Sequence, residues 1–221
     1  MNIVVVGATG NIGTELVQQA LQQGHSVTAY VRRPEAVTAR AGLTTVGGAL
    51  DDVAAMARAF AGADAVISCV GGKPDTGFMQ QTLPTITAAV KQAGVDRFVL
   101  VSAFGVGDTK DKASGFARLI YATAVKSLFT DKALAEDAVL PRLELNWTVA
   151  YPVNLKNGPR LASATVKPMA QVASVPGLPT LPFANVAEAL LQIAADEHLA
   201  KQRMLITTPN GWRPATASSA R

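Results

Sequence analysis

The chain has 221 residues, of which 49% are apolar and 16% charged. That is long enough for one domain with a real core and too apolar for a disordered chain. A net charge of +4, only 5% aromatics and no basic run interleaved with them exclude a nucleic-acid stacking platform, and one cysteine, Cys69, excludes an intramolecular disulfide.

The chain opens on Asn2-Ile3-Val4-Val5-Val6, a buried-strand pattern that runs into Gly7-Ala8-Thr9-Gly10-Asn11-Ile12-Gly13. Strand, glycine-rich turn and helix in that order predict a pyrophosphate site. Gly7 allows the tight turn, Gly10 clears a path to the backbone around Thr9, and Gly13 lets the helix pack close to the strand. The N–H groups of Asn11 and Ile12 would face the phosphates at the positive end of the helix. A helix is expected over Thr14–Gln23, where Leu16, Val17, Ala20 and Leu21 form a stripe, with Gly24 as its C-cap.

Strands follow at Ser26–Val31 and Leu43–Val46, then a helix over Asp51–Phe60 with an acidic first turn and a strand at Ala65–Val70. Met79–Ala93 is a helix that must kink at Pro84 or start there. Arg97–Val101 and Leu145–Ala150 are strands, and the long Gly105–Pro141 connection begins as a loop and continues as a helix. Asn154–Pro182, punctuated by Pro and Gly, is expected to be an irregular substrate lid. Asn185–Ala195 is a helix opened by Asn185 and Glu188 as a capping pair, and Met204–Thr207 is a last strand. The expected fold is α/β: a Rossmann-type, doubly wound, mostly parallel sheet in one domain over residues 1–208, with the small irregular substrate region inside it. Residues 209–221 are expected to be a frayed tail.

Dinucleotide sites that prefer NAD place a carboxylate at the end of the second strand. Here the stretch reads Ala29-Tyr30-Val31-Arg32-Arg33. Arg32 and Arg33 are either solvated surface residues or a clamp for a 2′-phosphate, one of them stacking on adenine. Their position after the glycine turn favours the clamp, so NADPH is the expected cofactor. Ala49 and Leu50 would lie against the adenine. No metal-ligand spacing occurs, so no metal is expected. Neither a basic leader nor a long apolar run is visible, so a cytoplasmic protein with no membrane partner is expected, as a monomer or homodimer.

The Gly-x-x-Gly-x-x-Gly spacing, with arginines after the second strand, resembles the atypical branch of the short-chain dehydrogenase/reductase superfamily. More narrowly, it resembles the NAD(P)H-binding group that contains biliverdin-IXβ/flavin reductases and NmrA-like proteins. Ala65–Gly72, Phe98–Ala103, Asp131–Glu136 and Trp147–Pro152 support the likeness, which runs to about Thr208. The main branch of that superfamily uses a Tyr-x-x-x-Lys dyad. Here Lys126 is the fifth residue after Tyr121, and at about 100° per residue the two would lie roughly 140° apart around a helix. The dyad is therefore expected to be absent, with Tyr121 a packing residue. His25 and His198 are not expected to be catalytic.

The resemblance implies hydride transfer to a flat conjugated acceptor (flavin, quinone or tetrapyrrole), in which the protein mainly holds two rings together. Val70, Gly71 and Gly72 would border the nicotinamide ribose, and Tyr151, Pro152 and Val153 would wall the nicotinamide. Ser102, at the carboxyl end of a strand, would hydrogen-bond the acceptor or the carboxamide, or else simply cap the strand end. The alternative implied by the NmrA likeness is a non-catalytic NADP(H) sensor acting through a protein partner. A sugar-nucleotide epimerase is the weakest reading, because that chemistry relies on the missing dyad.

Overall fold

The computed structural model describes residues 1–215. The chain runs β1 (Asn2–Val6), α1 (Asn11–Gln22), β2 (Ser26–Val31), β3 (Leu43–Gly47), α2 (Val53–Phe60), β4 (Ala65–Ser68), α3 (Phe78–Gln92) and β5 (Arg97–Val101). It continues through α4 (Gly115–Thr123), α5 (Lys126–Val139), β6 (Asn146–Pro152), β7 (Asn154–Lys156), β8 (Thr165–Pro168), β9 (Val172–Ser174), β10 (Thr180–Pro182), α6 (Phe183–Ala195), β11 (Gln202–Thr207) and β12 (Arg213–Pro214).

Eight strands form one sheet in the order β3-β2-β1-β4-β5-β6-β11-β8, and every pairing in it is parallel except β11 with β8. Ile3–Val6 and Ala65–Ser68 are buried without alternation, as expected of strands covered on both faces. Helices α1 and α6 pack together on one face, and α2, α3 and α5 on the other. The strand order reverses between β1 and β4, which opens a crevice at the carboxyl ends of these two strands.

Several local expectations change. Helix α1 begins at Asn11 with Gly10 as N-cap, three residues earlier than its apolar stripe suggests. Asp52 caps α2 by accepting from Ala55 N at 2.8 Å. Pro84 lies inside α3 rather than at its start; the start is capped from a distance by Asp131, which accepts from Met79 N at 2.8 Å and Gln80 N at 3.2 Å. The Gly105–Pro141 connection holds two helices, which puts Tyr121 and Lys126 on separate ones.

Asn185 is not a cap. It is buried within α6, where its amide accepts from Leu161 N and donates to Leu161 O, while Glu188 pairs with Arg160. The segment expected to be an irregular lid is rich in short strands instead. β8 closes the main sheet antiparallel to β11, and β7 pairs with β10. The start of the expected tail is also fixed: β12 pairs with β9, and Ala215 N donates to Gln171 O at 2.8 Å. The rest of that tail, 216–221, lies outside the described residues.

Candidate cofactor cleft and the polar cluster beside it

The glycine turn is built by close contacts that leave no room for side chains. Gly7 has φ +85°, and a Cβ there would lie 3.0 Å from the Cys69 carbonyl carbon. A Cβ on Gly13 would lie 2.2 Å from Gly7 O, so the first turn of α1 sits directly on the end of β1. No side chain caps α1, which leaves its first-turn N–H groups for the oxygens of a ligand.

In front of this turn lies a cleft of about 660 Å³ along the carboxyl edge of the sheet, a size suited to a cofactor. Of the residues expected to bind cofactor, Gly7, Thr9, Gly10, Arg32, Ala49, Leu50, Val70, Gly71 and Gly72 line it together. The Tyr30 hydroxyl fixes the far wall by donating to Ala49 O at 2.9 Å. Asn11 and Ile12 lie in the first turn of α1, outside the lining. Arg33 departs from the expected pair. It is exposed and caps a short 3-10 turn at Pro34–Ala36, while Arg32 alone faces the cleft. Lys73 and Phe78, which carried no expected role in binding, also line it.

The cleft ends at Cys69 and Val70, just past β4, and the next strand, β5, carries Ser102 at its end. The Ser102 N–H continues the ladder to Ala150 O at 2.8 Å. Its hydroxyl neither caps the strand nor stands free: it donates to Glu136 Oε1 at 2.5 Å. Tyr151 is wholly buried and so is no wall of the cleft; its hydroxyl donates to Glu136 Oε2 at 2.6 Å. Pro152 and Val153 are also buried, outside the lining, and are tied to Phe104 and Ile206 through the backbone.

Glu136, 5% exposed, thus joins β5, β6 and α5. Burial pushes its carboxyl above the usual range, against the opposing pull of the Ser102 and Tyr151 hydroxyls and of Lys132 and Arg203. Burial also raises the Tyr151 phenol, and the Glu136 charge adds to the shift. Arg203, on β11, donates from Nε to the Tyr151 hydroxyl at 3.0 Å and pairs with Asp108 at 2.6 Å.

Lys132, like Glu136, carries no site role in the sequence reading. It lies on α5 one turn before Glu136, is 7% exposed, and holds Nζ 3.4 Å from Val101 O. Burial lowers its pKa, while Glu136, Asp131 and Cys69 act to raise it. Burial pushes the Cys69 thiol up to about 12, so it stays protonated at neutral pH. Leu128 stands four residues before Lys132, so the Tyr-x-x-x-Lys dyad is absent in this register too. Lys126 is exposed, and Tyr121 packs edge-on against Phe104 and tilted on Phe129. The available signal was the i,i+4 spacing of Lys132 and Glu136. On an exposed helix face this spacing forms a solvated pair; here both residues are buried beneath the sheet edge.

Among the described residues, no group of three or more His, Cys, Asp or Glu is arranged to hold a metal ion, and no helix is long and apolar enough to cross a membrane.

Among solved structures, the fold is similar to that of the oxidoreductase ylbE from Lactococcus lactis, with a TM-score of 0.80 and 20% identity over 96% of this chain and 93% of that one. It is also similar to ChuY, an anaerobillin reductase from Escherichia coli O157:H7 (TM-score 0.77, 23% identity, 97% and 100% coverage). A wide-type short-chain dehydrogenase/reductase from Veillonella parvula in complex with NADP has a TM-score of 0.74 at 19% identity, covering 98% of this chain and 99% of that one. In sequence the chain is 32% identical over 154 residues to a 3-beta-hydroxysteroid dehydrogenase of Mycolicibacterium neoaurum, covering 62% of this chain and 42% of the relative. It is 30% identical over 134 residues to a phenylcoumaran benzylic ether reductase of Ginkgo biloba, covering 56% and 42%. Each of these two matches spans less than half the relative's length. The family model for NAD(P)H-binding proteins matches residues 7–197, nearly the whole described chain, and the protein belongs to that NAD(P)H-binding family.

Proposed function

We propose that the protein is an NADPH-dependent reductase that passes hydride to a flat conjugated acceptor such as a flavin, quinone or tetrapyrrole. The observation that carries this reading is the continuity of the cleft. It runs from Arg32, past the glycine turn, to Cys69 and Val70, and a strand-end hydroxyl and a buried lysine lie one strand further on. Bound NADPH supplies the hydride. The chain supplies first-turn N–H groups for the pyrophosphate, Arg32 for the 2′-phosphate, and the apolar side chains of Leu50 and Val70 along the cleft. In this reading Lys132 would hold a ribose hydroxyl at the nicotinamide end, and Ser102 would present a proton at Oγ. Without a tyrosine–lysine dyad, alcohol and ketone chemistry is disfavoured. An acceptor that is already electron-poor needs mainly alignment and exclusion of water. A cytoplasmic, monomeric or homodimeric protein acting on a small molecule is part of the same reading.

One observation favours a second reading, a sensor that binds NADP(H) without turnover: the Ser102 hydroxyl is already committed to Glu136. Mixing the purified protein with NADPH and a panel of flavins, quinones and linear tetrapyrroles, while following reduced-nicotinamide absorbance, separates the two. Acceptor-dependent loss of absorbance supports the reductase; tight binding with no loss against every acceptor supports the sensor.

A further inference from the structure

Glu136 has an asymmetry between its two oxygens that the reductase reading leaves unexplained. Arg203 Nε donates to the Tyr151 hydroxyl oxygen at 3.0 Å, so the single proton of Tyr151 points at Glu136 Oε2, 2.6 Å away. In this arrangement Oε2 is an acceptor. The choice of where a proton sits is left to Oε1 and Ser102 Oγ, which are 2.5 Å apart. When Glu136 is ionised, Ser102 must donate to it, and its only proton is held by the carboxylate. When Oε1 carries a proton, Glu136 donates to Ser102 Oγ and the serine proton is free to turn outward.

We propose that Glu136 is a positioning residue that sets the direction of the Ser102 hydroxyl: ionised, it locks the proton inward; protonated, it releases that proton toward the acceptor. The proposal rests on the reductase reading. In turnover Ser102 Oγ passes its proton to a heteroatom of the acceptor as hydride arrives from NADPH, and Glu136 Oε1 passes its own proton to Ser102 Oγ. The carboxylate that remains recovers a proton from water after product leaves. The groups facing Glu136 are Ser102 from β5, Tyr151 from β6, Arg203 from β11 with Asp108 behind it, and Lys132 with Asp131 on α5. Cys69 on the β4 side acts through Lys132. Two cations and two hydroxyl donors favour the ionised form, and burial opposes them.

The test has two arms. Infrared difference spectra of the cofactor-free protein, recorded across a pH titration, should show a carboxylic-acid carbonyl band that persists above the ordinary glutamate range. That band should vanish in Glu136→Gln and change frequency in Ser102→Ala. A band that titrates in the ordinary range, or that ignores Ser102→Ala, overturns the proposal. In the second arm, the wild-type rate should fall by about tenfold for each pH unit above the same ionisation. Glu136→Gln keeps its amide oxygen on the Tyr151 side and donates N–H to Ser102 but has no proton to pass on, so it should be slower than wild type at low pH and lose that fall. Ser102→Ala should be slow throughout. A Glu136→Gln profile parallel to wild type indicates a merely structural carboxylate and also overturns the proposal. Should no acceptor be turned over, the reductase reading fails, while the infrared arm still decides the state of Glu136.

Discussion

The two ends of the site are built from different materials. The cofactor end is made of backbone: Gly7 and Gly13 press turn against helix, uncapped N–H groups face outward, and few side chains take part. The polar cluster beside it is made of side chains from four separate elements, in which Ser102, Glu136, Tyr151 and Arg203 hydrogen-bond in series and Lys132 sits beside them. A backbone site fails by steric intrusion, and its failure is abrupt. A side-chain network fails through the buried groups that lose a partner, at a cost set by which member is removed.

The largest effect is expected from Gly13→Val. Its Cβ would meet Gly7 O, which belongs to fixed backbone, so α1 must move off β1. Unfolding experiments should show a loss of about 3 kcal/mol, and NADPH binding should disappear; a stable variant that still binds would break the contrast. Next comes Arg32→Ala. Loss of a charge-assisted contact of about 1.5–3 kcal/mol should weaken NADPH binding roughly tenfold to a hundredfold and leave NADH unchanged. Arg33→Ala, off the cleft, should do neither, and equal effects at the two arginines would contradict the geometry.

In the polar cluster Tyr151→Phe should cost about 1–2 kcal/mol, since it leaves Arg203 Nε and Glu136 Oε2 each short of one buried partner. A further expectation concerns pH. The native carboxyl of Glu136 lies above its unfolded value, so between the two values the folded state holds more protons. Stability should therefore be full below the ordinary glutamate range and decline as pH rises through the native value. Thermal melts of Glu136→Gln across the same interval should lack that decline. The smallest effect is expected from Arg160→Ala, which breaks an exposed pair with Glu188 and should cost under about 1 kcal/mol.

The same contrast explains what could be read from the residues alone. β1 and the glycine turn are contiguous in sequence, β4 is one short, mostly apolar run, and the patterns that mark them are local, so the parallel sheet and the cleft lining could be anticipated. Arg32 was visible through the absence of a carboxylate after β2, but its separation from Arg33 depends on the turn at Pro34. The polar cluster draws on positions 102, 108, 132, 136, 151 and 203, and apart from the i,i+4 pair at 132 and 136 no spacing links them. Lys132 and Glu136 look like an ordinary surface pair until α5 is seen to carry them under the sheet edge. Asn185 reads as a cap from its spacing to Glu188, but its hydrogen bonds run to Leu161, a partner 24 residues away that local pattern cannot supply. β7 to β10 are only three or four residues each and punctuated by proline, too short for alternation to show.

The most direct measurement is calorimetric titration of the folded protein with NADPH and with NADH. Saturable one-to-one uptake of NADPH, tighter than NADH, with the preference lost in Arg32→Ala, is the expected result. Uptake of neither coenzyme, or equal affinity for both in the unaltered protein, would contradict it.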